Sequence, residues 1–216
     1  METSKSNGKV GSQKSGAIIK GQYTDTRYEY ANSNGERLII ENSLPKGGLK
    51  YMGLDGKKYV YAVFWTRIVN ETATPFEVSI DVPADSFKIA AAAANPFDSS
   101  IEAAANLKKR PALPDNYFSM VLPSEEMTTD KAPLFNYGLQ DIKAALDHSL
   151  QQSSSLHRTI TPKATRFIYV VILSTGGGEG TIRAGFNVRD DKLYYRVNEK
   201  EIYCGQFNSK NLTLQK

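Results

Sequence analysis

The stretch 57-KKYVYAVFWTRIV-69 decides the fold of this chain. Successive side chains of a β-strand point to opposite faces, so alternate residues of this stretch share a face. Bulky side chains occupy both faces: Tyr59, Tyr61, Val63 and Trp65 on one, and Val60, Ala62, Phe64 and Thr66 on the other. A strand that is bulky on both faces is typical of the centre of a sheet covered on each side.

Turn signals on both sides of this stretch divide the neighbouring sequence into further strands. Asn34-Gly35 and Asp55-Gly56 are dipeptides favoured in β-hairpins, because both residues tolerate positive φ. After a turn at 70–75, apolar and polar residues alternate over 76–82. That alternation predicts a strand with one face in water.

A glycine-rich segment at 176–180 separates two more strand-like runs, 166–174 and 181–188. A phosphate-binding loop needs a helix after the glycines, whose N–H groups face the anion, and here a strand pattern follows. We therefore predict that the glycines connect a β-hairpin. A second turn at 189–191 leads into the next strand, so we expect three adjacent antiparallel strands.

The middle of the chain has a different character, with two helical patterns. The first, 99–110, has the capping-box spacing of Ser99 and Glu102. The second, 138–152, carries an apolar stripe at helical spacing. A strand pattern at 115–123 lies between them, and the run Ala90 to Ala94 either begins a helix or serves as a linker.

Together these patterns predict an all-β fold, a mostly antiparallel β-sandwich of immunoglobulin-like or jelly-roll-like type. One or two helices form an insertion around residues 99–152. We expect residues 1–16, rich in Ser, Gly and Lys, to form a flexible tail. Residues 17–216 then form a single domain, since 216 residues suffice for one sizeable core.

The chain is poor in side chains that carry catalysis or bind metals. It has one cysteine, Cys204, and two histidines, His148 and His157, whose spacing matches no zinc site. No Gly-x-Ser-x-Gly motif is present, and the acidic residues around Glu125 and Glu126 fit a solvated loop. We predict no catalytic residues, no metal, no cofactor and no enzymatic activity.

Net charge and hydropathy limit the classes of partner and the locations that we expect for this chain. The net charge is +4 without a long basic tract, which makes nucleic acid an unexpected partner. No apolar run has the ~18 residues that a transmembrane segment needs. The N-terminal segment lacks the apolar core of a signal peptide, so the chain is either cytoplasmic or shown without its export signal. The sandwich architecture favours an extracytoplasmic or secreted location, by analogy.

The functional prediction is a non-catalytic module that binds a protein or a surface. Tyrosines are frequent, and several occur in pairs, such as Tyr28 with Tyr30 and Tyr194 with Tyr195. An alternative is a carbohydrate-binding module, in which exposed rings on one strand face stack on sugars. The ligand-binding residues predicted for it are Tyr59, Tyr61 and Trp65. A further alternative is a capsid-like jelly roll whose N-terminal arm contacts nucleic acid through Lys5, Lys9, Lys14 and Lys20.

Overall fold

The chain forms two antiparallel sheets packed face to face, the sandwich-like all-β arrangement that the sequence predicts. The computed structural model describes residues 22–82, 86–89, 116–149, 153–175, 182–207 and 212–215. The predicted tail at 1–16, the helix at 99–110, the run Ala90 to Ala94 and the glycines at 176–180 lie outside them.

The first sheet contains the strands β1 (Thr24–Ala31), β2 (Arg37–Ser43), β3 (Lys46–Met52), β4 (Lys58–Asn70), β6 (Phe87–Ile89), β7 (Asn116–Val121), β9 (Thr165–Ser174) and β13 (Thr213–Leu214). Their spatial order is β13-β1-β2-β4-β9-β7-β6, and β3 pairs with β4. The second sheet contains β5 (Phe76–Val82), β8 (Ser154–Ile160), β10 (Ala184–Arg189), β11 (Lys192–Val197) and β12 (Lys200–Phe207), in the order β10-β11-β12-β5-β8.

Strand β4 is the centre of the first sheet, which confirms the prediction from its sequence. One edge pairs with β9 from Val60 to Val69, and the other edge is shared by β2 and β3. Its Phe64 face packs against the second sheet, and its Trp65 face packs against a segment that includes Met127, Tyr137 and Leu146. Both faces are therefore buried, as bulky residues on both faces indicated.

The segment that covers the Trp65 face runs from 122 to 149 and ends in the only α-helix of the described chain, α1 (Ile142–Ser149). This helix confirms the second predicted one, although the described helix is shorter than the 138–152 pattern. The preceding residues fold into two short 3-10 turns, at Thr129–Lys131 and Phe135–Gly138.

Lys46 at the start of β3 fastens this segment to the sheet. Its Nζ donates hydrogen bonds to the carbonyl oxygens of Ala132, at 2.7 Å, and Leu134, at 2.8 Å. The same ammonium lies 4.7 Å from the ring centre of Tyr23 and 4.4 Å from that of Tyr137. Desolvation lowers the pKa of Lys46. Two carbonyls and two ring faces compensate a cation that has lost much of its water.

The predicted hairpin around the glycines at 176–180 is wrong. Strand β9 before them belongs to the first sheet, and β10 after them belongs to the second. Both edges of β9 are occupied, by β4 and by β7, so β10 cannot pair with it. The three adjacent antiparallel strands are instead β10, β11 and β12, and the predicted turn between the first two has positive φ at Asp190 and Asp191.

The two hairpins predicted from Asn34-Gly35 and Asp55-Gly56 are confirmed. They connect β1 to β2 and β3 to β4. Only the glycine of each pair has positive φ, 75° at both positions, while the residue before it does not. The turns therefore use the conformational freedom of glycine alone.

A line of alternating charges crosses β4, β2 and β1 on the Trp65 face of the first sheet. The ion pairs have N–O distances between 2.6 and 3.1 Å and run in the order Arg67, Glu41, Arg27, Glu29, Arg37 and Glu71. Hydrogen bonding to Arg27, and then to Arg37, lowers the pKa of Glu29. Glu29 therefore favours the folded state in its ionised form.

Replacing either of two core residues tests which faces are internal. Phe64 and Ile80 are buried between the two sheets. We expect Phe64→Ala and Ile80→Ala each to lower the free energy of unfolding by ~3 kcal/mol or more, because each leaves a cavity in the core. Urea denaturation measures this, with the exposed Leu54→Ala as control. A near-neutral result at either core position would contradict the assignment.

The charge line predicts a dependence of stability on pH. Because the pKa of Glu29 is lower in the folded chain, its stabilising contribution is complete above the ordinary value of 4.5 and is lost as the pH falls below it. We expect the midpoint of urea unfolding to fall between pH 6 and pH 3 by less in Glu29→Gln than in the wild type. Equal pH dependence of the two proteins would rule out this role of Glu29.

Candidate functional site

The two sheets are joined along β10 by side chains that bond to its backbone. Strand β10 ends the second sheet, so one of its edges has no neighbouring strand. Asn42 from β2 caps that edge. Its Oδ1 accepts a hydrogen bond from the Phe186 N–H, and its Nδ2 donates one to the Phe186 carbonyl, both at 2.9 Å. The amide thus takes the place of a peptide group in a neighbouring strand.

The Asn42 amide is fully buried, and all its hydrogen-bonding capacity is used. Oδ1 also accepts from the Thr66 hydroxyl at 2.7 Å, and Nδ2 also donates to the Thr26 hydroxyl at 3.0 Å. A Cβ at position 185 would overlap the Asn42 side chain, so glycine there lets β10 approach closely.

Tyr30 from β1 caps the same edge further along. Its hydroxyl accepts a hydrogen bond from the Val188 N–H at 2.9 Å and donates one to the Val188 carbonyl at 3.0 Å. Burial is the main cause that raises the pKa of Tyr30 to about 12, so the hydroxyl keeps its proton. Asn42 and Tyr30 together position β1 relative to β10.

A groove opens beside Tyr30, between the β1–β13 edge of the first sheet and the β10–β11 turn of the second. We call it the Tyr30 groove; its volume is about 590 Å³. Its walls are largely apolar or aromatic and include Tyr28, Tyr30, Val188, Leu212 and Leu214. Leu214 is 51% exposed, so the groove presents apolar surface to solvent.

The rim of the Tyr30 groove is acidic. Asp190 and Asp191, in the β10–β11 turn, are exposed and line it. Arg189 also lines it, but its guanidinium lies 3.0 Å from the Glu201 carboxylate and 4.7 Å from the Tyr194 ring centre. Asp190 has no ion-pair partner among the described residues. The groove therefore combines aromatic walls with negative charge at its mouth, which favours a cation.

The residues predicted to bind sugar lie elsewhere. Trp65 is fully buried and Tyr59 is 7% exposed, while Tyr61 is half-buried. The Trp65 ring makes edge-to-face contacts with Tyr137 and Phe167. The prediction of an exposed, coplanar aromatic face is wrong, because residues 122–149 cover that side of β4. A buried indole cannot stack on a sugar.

His157 and Cys204 lie on different faces of the second sheet. His157 is in strand β8, and its Nδ1 is 2.9 Å from the Ser79 Oγ on the exposed face of that sheet. No carboxylate bonds to this histidine in the described chain, so nothing orients it as a base. Cys204 is buried, and desolvation raises its pKa to about 12.

The acidic loop and the described residues as a whole offer no metal site. Glu125 accepts hydrogen bonds from the Lys131 ammonium and the Gln140 N–H, which gives it a structural role. No group of three or more His, Cys, Asp or Glu side chains that could hold a metal ion occurs in the described part of the chain. Nor does that part contain a helix long and apolar enough to cross a lipid bilayer.

Comparison with known proteins assigns no relative. No protein-family model, no curated protein and no solved structure matches this sequence.

Few features of the sequence indicate this groove. Tyr28 and Tyr30 stood out as a pair of tyrosines, but nothing indicated that Val188 and Leu214 would join them. The sequence of residues 189–191 predicts a turn, and nothing in it indicates that the turn borders a groove.

Removing the Asn42 amide tests how the sheets are joined. Asn42→Ala leaves the Phe186 N–H and carbonyl without a described partner, and each buried group left unpaired costs ~1–3 kcal/mol. We expect the free energy of unfolding to fall by at least ~2 kcal/mol, measured in urea. Thr159→Ala, at an exposed position of β8, is the control. A loss no larger than that of the control would contradict a joining role for Asn42.

Proposed function

We propose that this chain is a non-catalytic binding module that binds another protein in the Tyr30 groove. The observation that carries the proposal is the combination of apolar walls, a half-exposed Leu214 and an acidic rim in one concave surface. Binding sites are mostly apolar concavities with a few polar groups that fix orientation. Tyrosine and arginine, both present here, are the residues most often responsible for binding energy between proteins.

The outer face of the second sheet supports this choice by contrast. Some of its polar side chains pair with one another: Asn187 donates to Glu201 at 3.0 Å, and Ser79 contacts His157. A polar group that is already paired offers a partner few new hydrogen bonds. The Tyr30 groove offers apolar surface together with the carboxylate of Asp190, which has no ion-pair partner among the described residues.

One observation favours a carbohydrate as the second candidate ligand. Tyr203 on the outer face of the second sheet is 52% exposed and lies beside Tyr194, with ring centres 5.9 Å apart. The two rings meet edge to face at 70°, so they do not form one flat platform. A sugar would have to stack on a single ring there, whereas the groove can surround a side chain.

A pair of matched variants tests the proposed function. Leu214→Lys places a positive charge in the groove, which opposes a cationic ligand, and Leu54→Lys does the same at an exposed leucine outside it; Leu54 is 66% exposed. We would screen the full chain against a peptide array and a glycan array, after checking by circular dichroism that both variants fold. We expect peptide binding that Leu214→Lys abolishes and Leu54→Lys retains.

Two results would overturn the proposal. Binding to glycans alone, removed by Tyr203→Ala, would assign the function to the outer face of the second sheet. Peptide binding that is unaffected by Leu214→Lys would place the interaction outside the Tyr30 groove.

A further inference from the structure

We infer that the β3–β4 hairpin binds the surface of a membrane that contains anionic lipids. The contact is made by residues 50–58, which we call the hairpin tip and which take no part in the proposed function. Tyr30 lies opposite Leu38, and Leu38 lies opposite Asn70 at the end of β4, whereas the hairpin tip leads into the start of that strand. Because β4 spans 13 residues, or ~40 Å at about 3.3 Å per residue, the Tyr30 groove and the hairpin tip lie at opposite ends of the first sheet.

The hairpin concentrates exposed apolar side chains. Eight large hydrophobic residues are exposed in the described chain, and three of them occur within six positions of the hairpin: Leu49, Met52 and Leu54. Met52 is 53% exposed, and Leu54, in the turn, is 66% exposed. Single exposed apolar residues are normal on a protein surface, but a group of them marks an interaction site.

Two more of the eight, Leu134 and Phe135, lie beside the base of the hairpin. The next residue, Asn136, donates a hydrogen bond at 3.2 Å to the hydroxyl of Tyr61, which lies opposite Leu49. Most of the exposed hydrophobic residues of the described chain are therefore gathered around this hairpin.

Lysines surround the apolar side chains of the hairpin tip. Lys50, Lys57 and Lys58 are all exposed. Lys58 lies opposite Met52, and Lys50 is two residues before Met52, so both lysines share a face of the hairpin with it. The hairpin tip thus presents positive charge beside apolar surface, which complements a surface that is negative outside and apolar beneath.

The single acid of the hairpin tip is engaged within it. Asp55 accepts a hydrogen bond from the Tyr59 hydroxyl at 2.8 Å and lies 3.4 Å from the Lys57 ammonium. The hydrogen bond from Tyr59 is the main cause that lowers the pKa of Asp55. Beside Tyr59, the Tyr51 hydroxyl bonds to Asp147 of helix α1, with the two ring centres 6.2 Å apart. These contacts hold the hairpin tip in one arrangement.

The composition of the hairpin tip fits a lipid surface better than a protein partner. Protein interfaces are depleted of lysine and enriched in arginine and aromatic residues. The hairpin tip exposes three lysines and contains no arginine, and its two tyrosines are buried. Lysine stems can lie along an apolar boundary while their ammonium groups reach the lipid phosphates.

Vesicle binding by the full chain tests the inference. The probes are vesicles of equal parts phosphatidylcholine and phosphatidylserine, with vesicles of phosphatidylcholine alone as control, and binding is measured by co-sedimentation. We expect binding to the anionic vesicles only. Binding should weaken at least fivefold when the ionic strength rises from about 0.1 M to about 1 M, because the Debye length shortens from about 10 Å to about 3 Å.

Matched variants locate the contact, after circular dichroism has shown that each variant folds. Leu54→Asp should weaken vesicle binding at least tenfold, because it places a negative charge against the lipid, whereas Leu214→Asp, at an exposed leucine of the Tyr30 groove, should leave it unchanged. Lys50→Gln combined with Lys58→Gln should also weaken it at least tenfold, since each lysine near an anionic leaflet contributes roughly fivefold in affinity. The control for this pair is Lys192→Gln, at an exposed lysine of the second sheet.

Fluorescence distinguishes insertion of the hairpin tip from electrostatic adhesion. Trp65 is the only tryptophan of the chain and is fully buried, so its emission should not respond to lipid. Leu54→Trp should add emission that shifts to shorter wavelength with the anionic vesicles. Leu214→Trp should add emission that does not shift.

Several outcomes would overturn the inference. They are absence of binding to the anionic vesicles, equal binding to the neutral ones, equal loss with Leu54→Asp and Leu214→Asp, and an unshifted emission of Leu54→Trp. Binding to soluble poly-glutamate as tight as to the anionic vesicles would instead assign the hairpin tip to an acidic protein. None of these outcomes concerns peptide binding in the Tyr30 groove, so the proposed function is tested separately.

Discussion

The buried amide of Asn42 is the interaction on which the arrangement of the two sheets depends. It belongs to the first sheet, yet two of its hydrogen bonds are made to the backbone of the second. An unpaired amide at that depth would be costly, so β10 must lie where Phe186 meets it. That position in turn requires glycine at 185, brings Val188 to the Tyr30 hydroxyl, and leaves the space beside Tyr30 that forms the groove. One side chain thus fixes both the closure of the sandwich and its concave surface.

The packing of the two sheets leaves the outer edges of β10 and β1 covered to different extents. The edge of β10 has side chains in place of a neighbouring strand, which protects it from pairing with other chains. Within the described ranges, the edge of β1 is covered by β13 at Tyr30 and Ala31 and by Gln215 at Glu29. Strand β1 also has a register shift between Thr24 and Thr26, and irregularities of this kind protect strand edges from pairing. Here the nearby charges of Arg27 and Glu41 are satisfied within the sheet.

Much of the fold could be predicted because strands and turns depend on patterns within short stretches of sequence. Alternation placed β4 and β5 correctly, and Asn34-Gly35 and Asp55-Gly56 marked real hairpins. The error at 176–180 arose because two consecutive strands can belong to different sheets, and their sequences do not record which edges are already occupied. Trp65 shows a second kind of error. The pattern that made β4 a covered strand also implied that its aromatic face was buried, so that face was a poor choice for a binding site.

The candidate site could not be predicted, because its walls come from distant parts of the chain. Tyr30, Val188 and Leu214 meet only after both sheets have formed. Side chains bring these walls together by hydrogen bonding to backbone groups. Because every residue except proline has the same backbone N–H and C=O groups, the sequence does not show which of them a side chain will bind. The predicted location of the protein outside the cytoplasm and the nucleic-acid alternative stay predictions.

The segment Asn70-Glu71-Thr72 matches the N-glycosylation sequon, but the fold buries its asparagine. Its Asn70 amide is buried, and its Nδ2 donates to the carbonyl oxygens of Thr74 and Ile160, at 2.8 and 2.9 Å. An oligosaccharide attached to that nitrogen would replace one of its two hydrogens, so at least one of these bonds would be lost, and the sugar would have to enter the space between β4 and the end of β8. Only a chain that has not yet folded would present this asparagine to a glycosylating enzyme. A glycan on Asn70 would therefore identify a molecule that was glycosylated before its two sheets had packed together.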